Sequence, residues 1–191
     1  MPRLFTGLEL PEAMRQQLGR LAVPLPGAKW VDPQDMHLTL RYAGDIDNRK
    51  AEDFSAELAQ IQVRVFTLRL VGLSAFGGND PHAIWAAVEA GPELDQLAKA
   101  NERAARAAGL LPETRKFKAH VTLARLRGAR DDQVARILER HAAYRSDPVT
   151  IEHFALFSSR PLIGGGPYAI EEVFPLEGSS IGYRMGLDGT W

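Results

Sequence analysis

The chain contains no cysteine at all. That excludes a thiolate nucleophile, a disulfide framework and a Cys-ligated zinc site, and it suits a reducing compartment. No run of about 18 apolar residues occurs, so neither a membrane span nor a membrane partner is expected. The opening MPRLFTGLEL lacks the charged region, long apolar stretch and small-residue cleavage site of a signal peptide, which makes a cytoplasmic location the expectation. Neither sign of charge is in excess: 23 Lys and Arg face 24 Asp and Glu, a formal net charge of −1. Binding to nucleic acid through bulk positive charge is therefore excluded, while a local basic cleft is not.

What the chain does have is enough apolar material for one core. Its 191 residues are 45% hydrophobic and 25% charged, which fits one domain or two small lobes. Two short stretches match each other: His37-Leu38-Thr39-Leu40 and His120-Val121-Thr122-Leu123. In a β-strand, side chains alternate faces, so each histidine shares a face with its threonine while the aliphatic residues take the other face. Each strand would then show an imidazole and a hydroxyl to a cleft and pack its back on the core. Two such coincidences among five histidines arise by chance roughly once in a hundred such chains.

The surrounding pattern predicts strands at 3–10, 29–32, 36–43, 63–70, 83–90, 117–126, 149–157 and 168–176, with helices at 51–61, 94–108 and 131–143 and one starting at Pro11. Asp131 is placed as the cap of the last helix. Gly164-Gly165-Gly166-Pro167 reads as a turn, and Glu177 onward as a loose tail pinned by Tyr183 or Trp191. In each half an H-x-T strand precedes a helix (51–61, then 131–143) and an alternating strand (63–70, then 149–157). Two related lobes facing each other are expected: residues 1–176 as one bilobal α+β domain, with antiparallel or mixed sheets, helices outside and a central cleft. Residues 177–191 are the tail.

Two imidazoles titrating near neutrality suit a reaction in which one proton is removed and another supplied. The hydroxyls of Thr39 and Thr122 can hold anionic oxygens, so in-line displacement at a phosphodiester fits, with no metal or other cofactor required. Paired histidines also suggest a metal site, but each strand offers one good ligand and no acidic residue nearby in sequence completes a set. By parity Arg41 and Lys118 can reach the histidine face, although solvated strand positions explain them equally. Arg125 has the opposite parity and reaches the cleft only if the strand twists, bulges or ends before it. Tyr42 is either core filling or a platform for a base. His82, His141 and His153 have no matching partner and read as surface or cap residues.

On these residues the chain resembles the two-histidine phosphoesterases, and among them the RNA 2′,3′-cyclic phosphodiesterases, also called 2′-5′ RNA ligases. The resemblance runs through RLFTGLELP, KWVDPQDMHLTLRYAGDI, RKFKAHVTLARL and LFSSRPLIGGGPYAIEEVFPL. It implies a bilobal, pseudo-twofold fold and metal-free opening of a 2′,3′-cyclic phosphate to a 2′-phosphate, with ATP-independent 2′-5′ joining as the reverse reaction. It implies His37 as general acid and His120 as general base, with Thr39, Thr122 and Arg125 on the phosphate. Tyr42 stands where the family has Phe or Tyr. Lys118 and the tail depart from the family pattern. RNA ends or 2′,3′-cyclic nucleotides are the expected substrates, and a monomer the expected state. A related phosphodiesterase acting on an ADP-ribose-type cyclic phosphate and a non-catalytic nucleotide-binding module are the alternatives.

Overall fold

Both H-x-T stretches fold as strands, and the rest of the chain is wrapped about them. The computed structural model describes residues 3–159 and 168–181. In order these form β1 (Arg3–Glu9), α1 (Glu12–Gly19), β2 (Ala28–Trp30), a 3₁₀ turn (Pro33–Asp35), β3 (His37–Asp45), α2 (Asn48–Leu58), β4 (Phe66–Phe76), β5 (Ala83–Ala90), α3 (Pro92–Ala107), β6 (His120–Leu126), α4 (Asp131–Arg140), β7 (Val149–Ile151), β8 (His153–Ser159) and β9 (Tyr168–Pro175).

The strands follow the order β7-β4-β5-β6-β3-β1-β8-β9, with β2 added against β6. Every pairing between these named strands is antiparallel. The expected α+β fold is thus the one observed, and the expected pair of sheets is joined into one curved sheet. The junction is narrow: β3 and β6 share a single ladder position, Leu38 opposite Val121. Beyond that seam the two motif strands part, and the cleft opens between them.

The back of the sheet carries the core. Leu38, Leu40, Val121 and Leu123 are all buried, in one cluster with Met14 and Leu18 of α1, Phe54 and Leu58 of α2, and Leu94 and Leu97 of α3. These are the aliphatic partners of the histidines, turned inward by the period-two alternation. Val134 and Ile137 of α4 close a smaller cluster with Ile84, Ala124 and Leu126. Burying a side chain such as Phe54 is worth about 2–3 kcal/mol, so the helices hold the seam from behind.

The repeat in the sequence is not a lobe in space. β4, which follows the first motif, pairs with β5 of the second half, and β8, which follows the second motif, pairs with β1 of the first. Each half therefore lends a strand that follows its motif helix to the other, which locks the two halves together. The stretch 149–157, expected as one strand, splits at Glu152 for this reason: β7 joins β4 and β8 joins β1.

Other differences are local. Helix α2 starts at Asn48 because the Asp47 carboxylate accepts a 2.9 Å hydrogen bond from the Lys50 amide, a cap overlooked in the sequence. Asp131 is the first residue of α4, not its cap, and its charge lies in the first turn where the helix dipole favours it. The strand expected over 63–70 runs instead to Phe76, since Gly72 at φ +65° absorbs an irregularity between Leu70 and Leu73. The beginning of the tail is held: Val65 donates to the Glu177 carbonyl at 3.0 Å, and Glu177 donates to that of Val63 at 2.9 Å. The Gly164–Gly166 turn, Tyr183 and Trp191 lie outside the described residues. Among the described residues, no helix is long and apolar enough to cross a membrane.

Candidate active site

A cleft of about 610 Å³ lies over the seam, lined by His37, Thr39 and Tyr42 from β3 and by His120, Thr122 and Arg125 from β6. The two histidines, the two threonines, Tyr42 and Arg125 therefore share one pocket, while Arg41 and Lys118 do not line it. Extending the Leu38–Val121 pairing by one residue each way sets His37 against Thr122 and Thr39 against His120.

The histidines are held alike. The Nδ1 of His37 lies 2.7 Å from the Asp35 carbonyl, and that of His120 lies 2.7 Å from the Lys118 carbonyl. A carbonyl only accepts, so Nδ1 carries the hydrogen in both rings, and Nε2 is left to exchange a proton. For His37, Nε2 stands 3.1 Å from the Thr39 hydroxyl.

Their surroundings differ. His37 packs among Phe5 at 4.8 Å, Tyr168 at 5.0 Å and Phe157 at 5.9 Å between ring centroids. Burial there holds its pKa below the ordinary 6.5; the bond to the Asp35 carbonyl opposes this, and the positive fields of Arg125 and His120 add to it. His120 meets the edges of Phe76 at 5.1 Å and Trp85 at 5.8 Å. Because the unfolded chain protonates His37 more readily than the folded one, stability should fall as pH drops through about 6.5, then level off below the folded pKa. Proton NMR of the imidazoles, with denaturation of wild type and His37→Gln across pH 5–8, measures both. A His37 titrating above 6.5 would refute the burial argument.

Two matching bulges decide what stands next to the motifs. On β3 the pairing with β1 steps from Gly7–Thr39 to Thr6–Arg41, leaving Leu40 as the extra residue. On β6 the pairing with β5 steps from Trp85–Thr122 to Ile84–Ala124, leaving Leu123 extra. Each bulge reverses the alternation, so two consecutive residues turn inward and the next faces the cleft. Leu40 and Arg41 are buried, as are Leu123 and Ala124; Tyr42 and Arg125 emerge. The bulge is the condition that Arg125 needed. Gly7 is required beside the first one, because a Cβ there would lie 2.7 Å from the Leu38 carbonyl oxygen.

The same bulge overturns the parity reading of Arg41. Its side chain is 7% exposed and faces away from the cleft. The guanidinium donates to Glu102 of α3 and to the carbonyls of Tyr42 and Leu111. Burial works to raise the Glu102 pKa, but the hydrogen bonds from Arg106, Arg41 and the Glu113 amide outweigh it, and the carboxyl sits below its ordinary 4.5. Lys118 stays exposed, its ammonium 4.7 Å above the Trp85 ring. His82 is exposed and His141 ends α4, as read from sequence. His153 instead sits half-buried in β8, its Nε2 3.7 Å from a Glu9 carboxylate oxygen.

Arg3, Phe5, Lys29, Trp30, Asp32, Asp35 and Tyr168 also line the cleft. No motif pointed to them. Only the pairing of β2 with β6, which sets Lys29 beside Arg125, and of β1 with β3 brings most of them in. Burial, and then the charge of Asp32, raises the Asp35 carboxyl above its ordinary value. Even with these two carboxyls, no three of the described His, Asp or Glu side chains converge as a metal site would require.

The LigT like phosphoesterase family model matches residues 8–85 and 86–168, one segment for each H-x-T strand. An RNA 2′,3′-cyclic phosphodiesterase of Aquifex aeolicus is 30% identical over 179 residues, covering 91% of this chain and 95% of that protein. One from Bacillus subtilis is 28% identical, covering 82% and 87% respectively. In three dimensions the chain is similar to the protein TT0787 of Thermus thermophilus, with a TM-score of 0.73 and 25% identity over 91% of this chain and 97% of that one. It is also similar in fold to Escherichia coli LigT complexed with 3′-AMP, with a TM-score of 0.75 and 23% identity over 92% and 99%.

Proposed function

We propose that this chain, which belongs to the LigT-like phosphoesterase family, hydrolyses RNA 2′,3′-cyclic phosphodiester ends to 2′-phosphates by acid–base catalysis between two histidines. The observation that carries the reading is the seam. It sets two H-x-T strands side by side over one cleft, each imidazole tied at Nδ1 and offering Nε2.

In this reading His120 takes a proton from water as the water oxygen bonds to phosphorus. The P–O3′ bond breaks, and O3′ receives the proton that His37 carries. Thr39, Thr122 and Arg125 hold the nonbridging oxygens, where negative charge builds up in the transition state. The low pKa of free His37 fits this role once substrate is bound, because an anionic phosphate beside the ring favours the imidazolium. Tyr42 offers a face for the base. A 5′-hydroxyl in place of the water would give 2′-5′ joining by the same displacement, so joining differs from hydrolysis in its nucleophile and not, as expected from the sequence, in its direction. Three cations, Arg3, Lys29 and Arg125, line the cleft beside the two carboxyls of Asp32 and Asp35, so basic groups outnumber acidic ones there although the overall charge is −1. The family's other cyclic phosphates would meet the same two histidines, so a panel including an ADP-ribose-type cyclic phosphate ranks the substrates.

The test is turnover of an oligonucleotide ending in a 2′,3′-cyclic phosphate, in EDTA, with the product isomer identified. Turnover that persists in EDTA and yields the 2′-phosphate is expected. Tight binding of that oligonucleotide with no turnover at any pH from 5 to 9 would leave a binding module instead.

A further inference from the structure

The catalytic cleft does not end at His37. Asp35, His37 and Tyr168 line it on one side, and the same three residues line a second cavity of about 240 Å³. In the sheet, β1, β8 and β9 follow β3 on the side opposite β6. The second cavity, walled by Phe157 and Ile170 of β8 and β9, therefore lies on the flank of His37 away from His120.

Its lining suits a flat ring with polar edges. Ile170 sits opposite Phe157 in the β8–β9 ladder and, although apolar, is left 44% exposed. Around this wall Glu9, Asp35 and the Gln34 side chain offer acceptors, and Arg15 of α1 offers donors. One terminal nitrogen of Arg15 donates to the Gln34 carbonyl at 3.0 Å, but its Nε is buried and finds no acceptor among the described residues. A buried donor left without an acceptor is costly, and a ligand atom in the cavity would relieve it. Two carboxyls against one guanidinium argue against a phosphate as the occupant. An apolar wall with both donors and acceptors at its rim fits a neutral nucleobase. The space falls short of the roughly 300 Å³ at which pockets for whole drug-sized ligands begin, so it holds a base and not a nucleotide.

The ribose itself connects this cavity to the reaction. In a 2′,3′-cyclic phosphate O3′ is carried by C3′, whose neighbour C4′ bears the 5′ arm. O2′ is carried by C2′, whose neighbour C1′ bears the base. With O3′ facing His37, the 5′ arm leaves the cleft past His37, and the base lies toward the His120 side, where the antiparallel register puts Tyr42. On an RNA end that 5′ arm carries the preceding nucleotide.

We propose, on the cyclic-phosphodiesterase reading given above with His37 at O3′, that this second cavity binds the base of the nucleotide preceding the cyclic phosphate. The site is thereby selective for RNA ends over free 2′,3′-cyclic nucleotides.

The experiment compares kcat/KM on three substrates: a mononucleoside 2′,3′-cyclic phosphate, the dinucleotide that adds one nucleotide on its 5′ side, and that dinucleotide with an abasic sugar in the added position. The wild type should favour the full dinucleotide by about 10-fold over both others, the size expected for stacking one base. Ile170→Asp places a third carboxyl beside Glu9 and Asp35 and should abolish that preference. Turnover of the mononucleotide should be unchanged, since Ile170 does not line the catalytic cleft. Equal rates on the full and abasic dinucleotides would overturn the proposal, because the added base would contribute nothing. A preference that survives Ile170→Asp would overturn it by placing that base elsewhere. An equal loss on all three substrates in this variant, with unchanged circular dichroism and melting, would overturn it by assigning the cavity to the reacting nucleotide. Should Ile170→Asp fail to fold, Ile170→Ala should lower the preference less steeply, and the abasic comparison on the wild type decides without any variant. Absence of wild-type turnover on all three substrates would instead refute the proposed function, on which this cavity's role depends.

Discussion

Alanine in place of His37 or of His120 is expected to lower kcat/KM on a cyclic-phosphate oligonucleotide by about 10²–10⁴-fold in each case. The size follows from what each ring does in the transition state, where one receives a proton and the other gives one up. The two act on a single displacement, so the double variant should be little worse than the poorer single one. The pH profile of kcat/KM should be bell-shaped in the wild type, with each limb set by one imidazole, and each single variant should lose one limb. His120→Ala is the cleaner test, because His37 also fills space among Phe5, Phe157 and Tyr168. Wild-type activity in either variant would reject the mechanism.

Arg41→Ala is expected to lower stability by about 3 kcal/mol, a fall in Tm on the order of 10 °C for a chain of this size. Its guanidinium joins β3 to Glu102 of α3 and to the Leu111 carbonyl in the segment leading to β6. Removing it leaves the carbonyls of Tyr42 and Leu111 without that donor and Glu102 with one fewer partner. The charge is buried on the arginine side, while Glu102 is 23% exposed and keeps Arg106, so the lower part of the usual range for a broken buried pair applies. Glu102 is held below its ordinary pKa, so its contribution is present above the unfolded value near 4.5 and is lost as pH falls through the folded value. The gap between wild type and variant should therefore narrow in acid. Thermal melts at pH 7 and pH 3.5 measure this, and a drop under about 1 kcal/mol at pH 7 would place Arg41 among ordinary surface arginines. Lost activity in this variant at a temperature where it remains folded would mean that the ion pair also sets the position of Tyr42.

The H-x-T strands were legible because period-two alternation depends on local geometry alone: His and Thr two apart must share a face wherever the strand goes. The same rule failed for Arg41 and left Arg125 undecided. A bulge is an agreement between two strands distant in sequence, and neither β3 nor β6 carries a glycine or proline at Leu40 or Leu123 to announce it. The nearest local sign is Gly7, on the partner strand, where the backbone approaches Leu38 too closely for any side chain. The lining contributed by Lys29, Trp30, Asp32 and Asp35 was hidden for a related reason, since it depends on β2 adding to β6 across nearly a hundred residues.

By itself the sequence determined the α+β class, the two amphipathic motif strands and the chemistry that paired imidazoles and hydroxyls can support, because composition and local periodicity specify these. Only the tertiary structure decided that β4 and β8 cross to pair with the opposite halves, that one ladder pair joins β3 to β6, and that Tyr42 and Arg125 face the cleft while Arg41 turns to α3. Register and bulges are set by where distant strands find their hydrogen-bond partners, and that match exists only once the chain has folded.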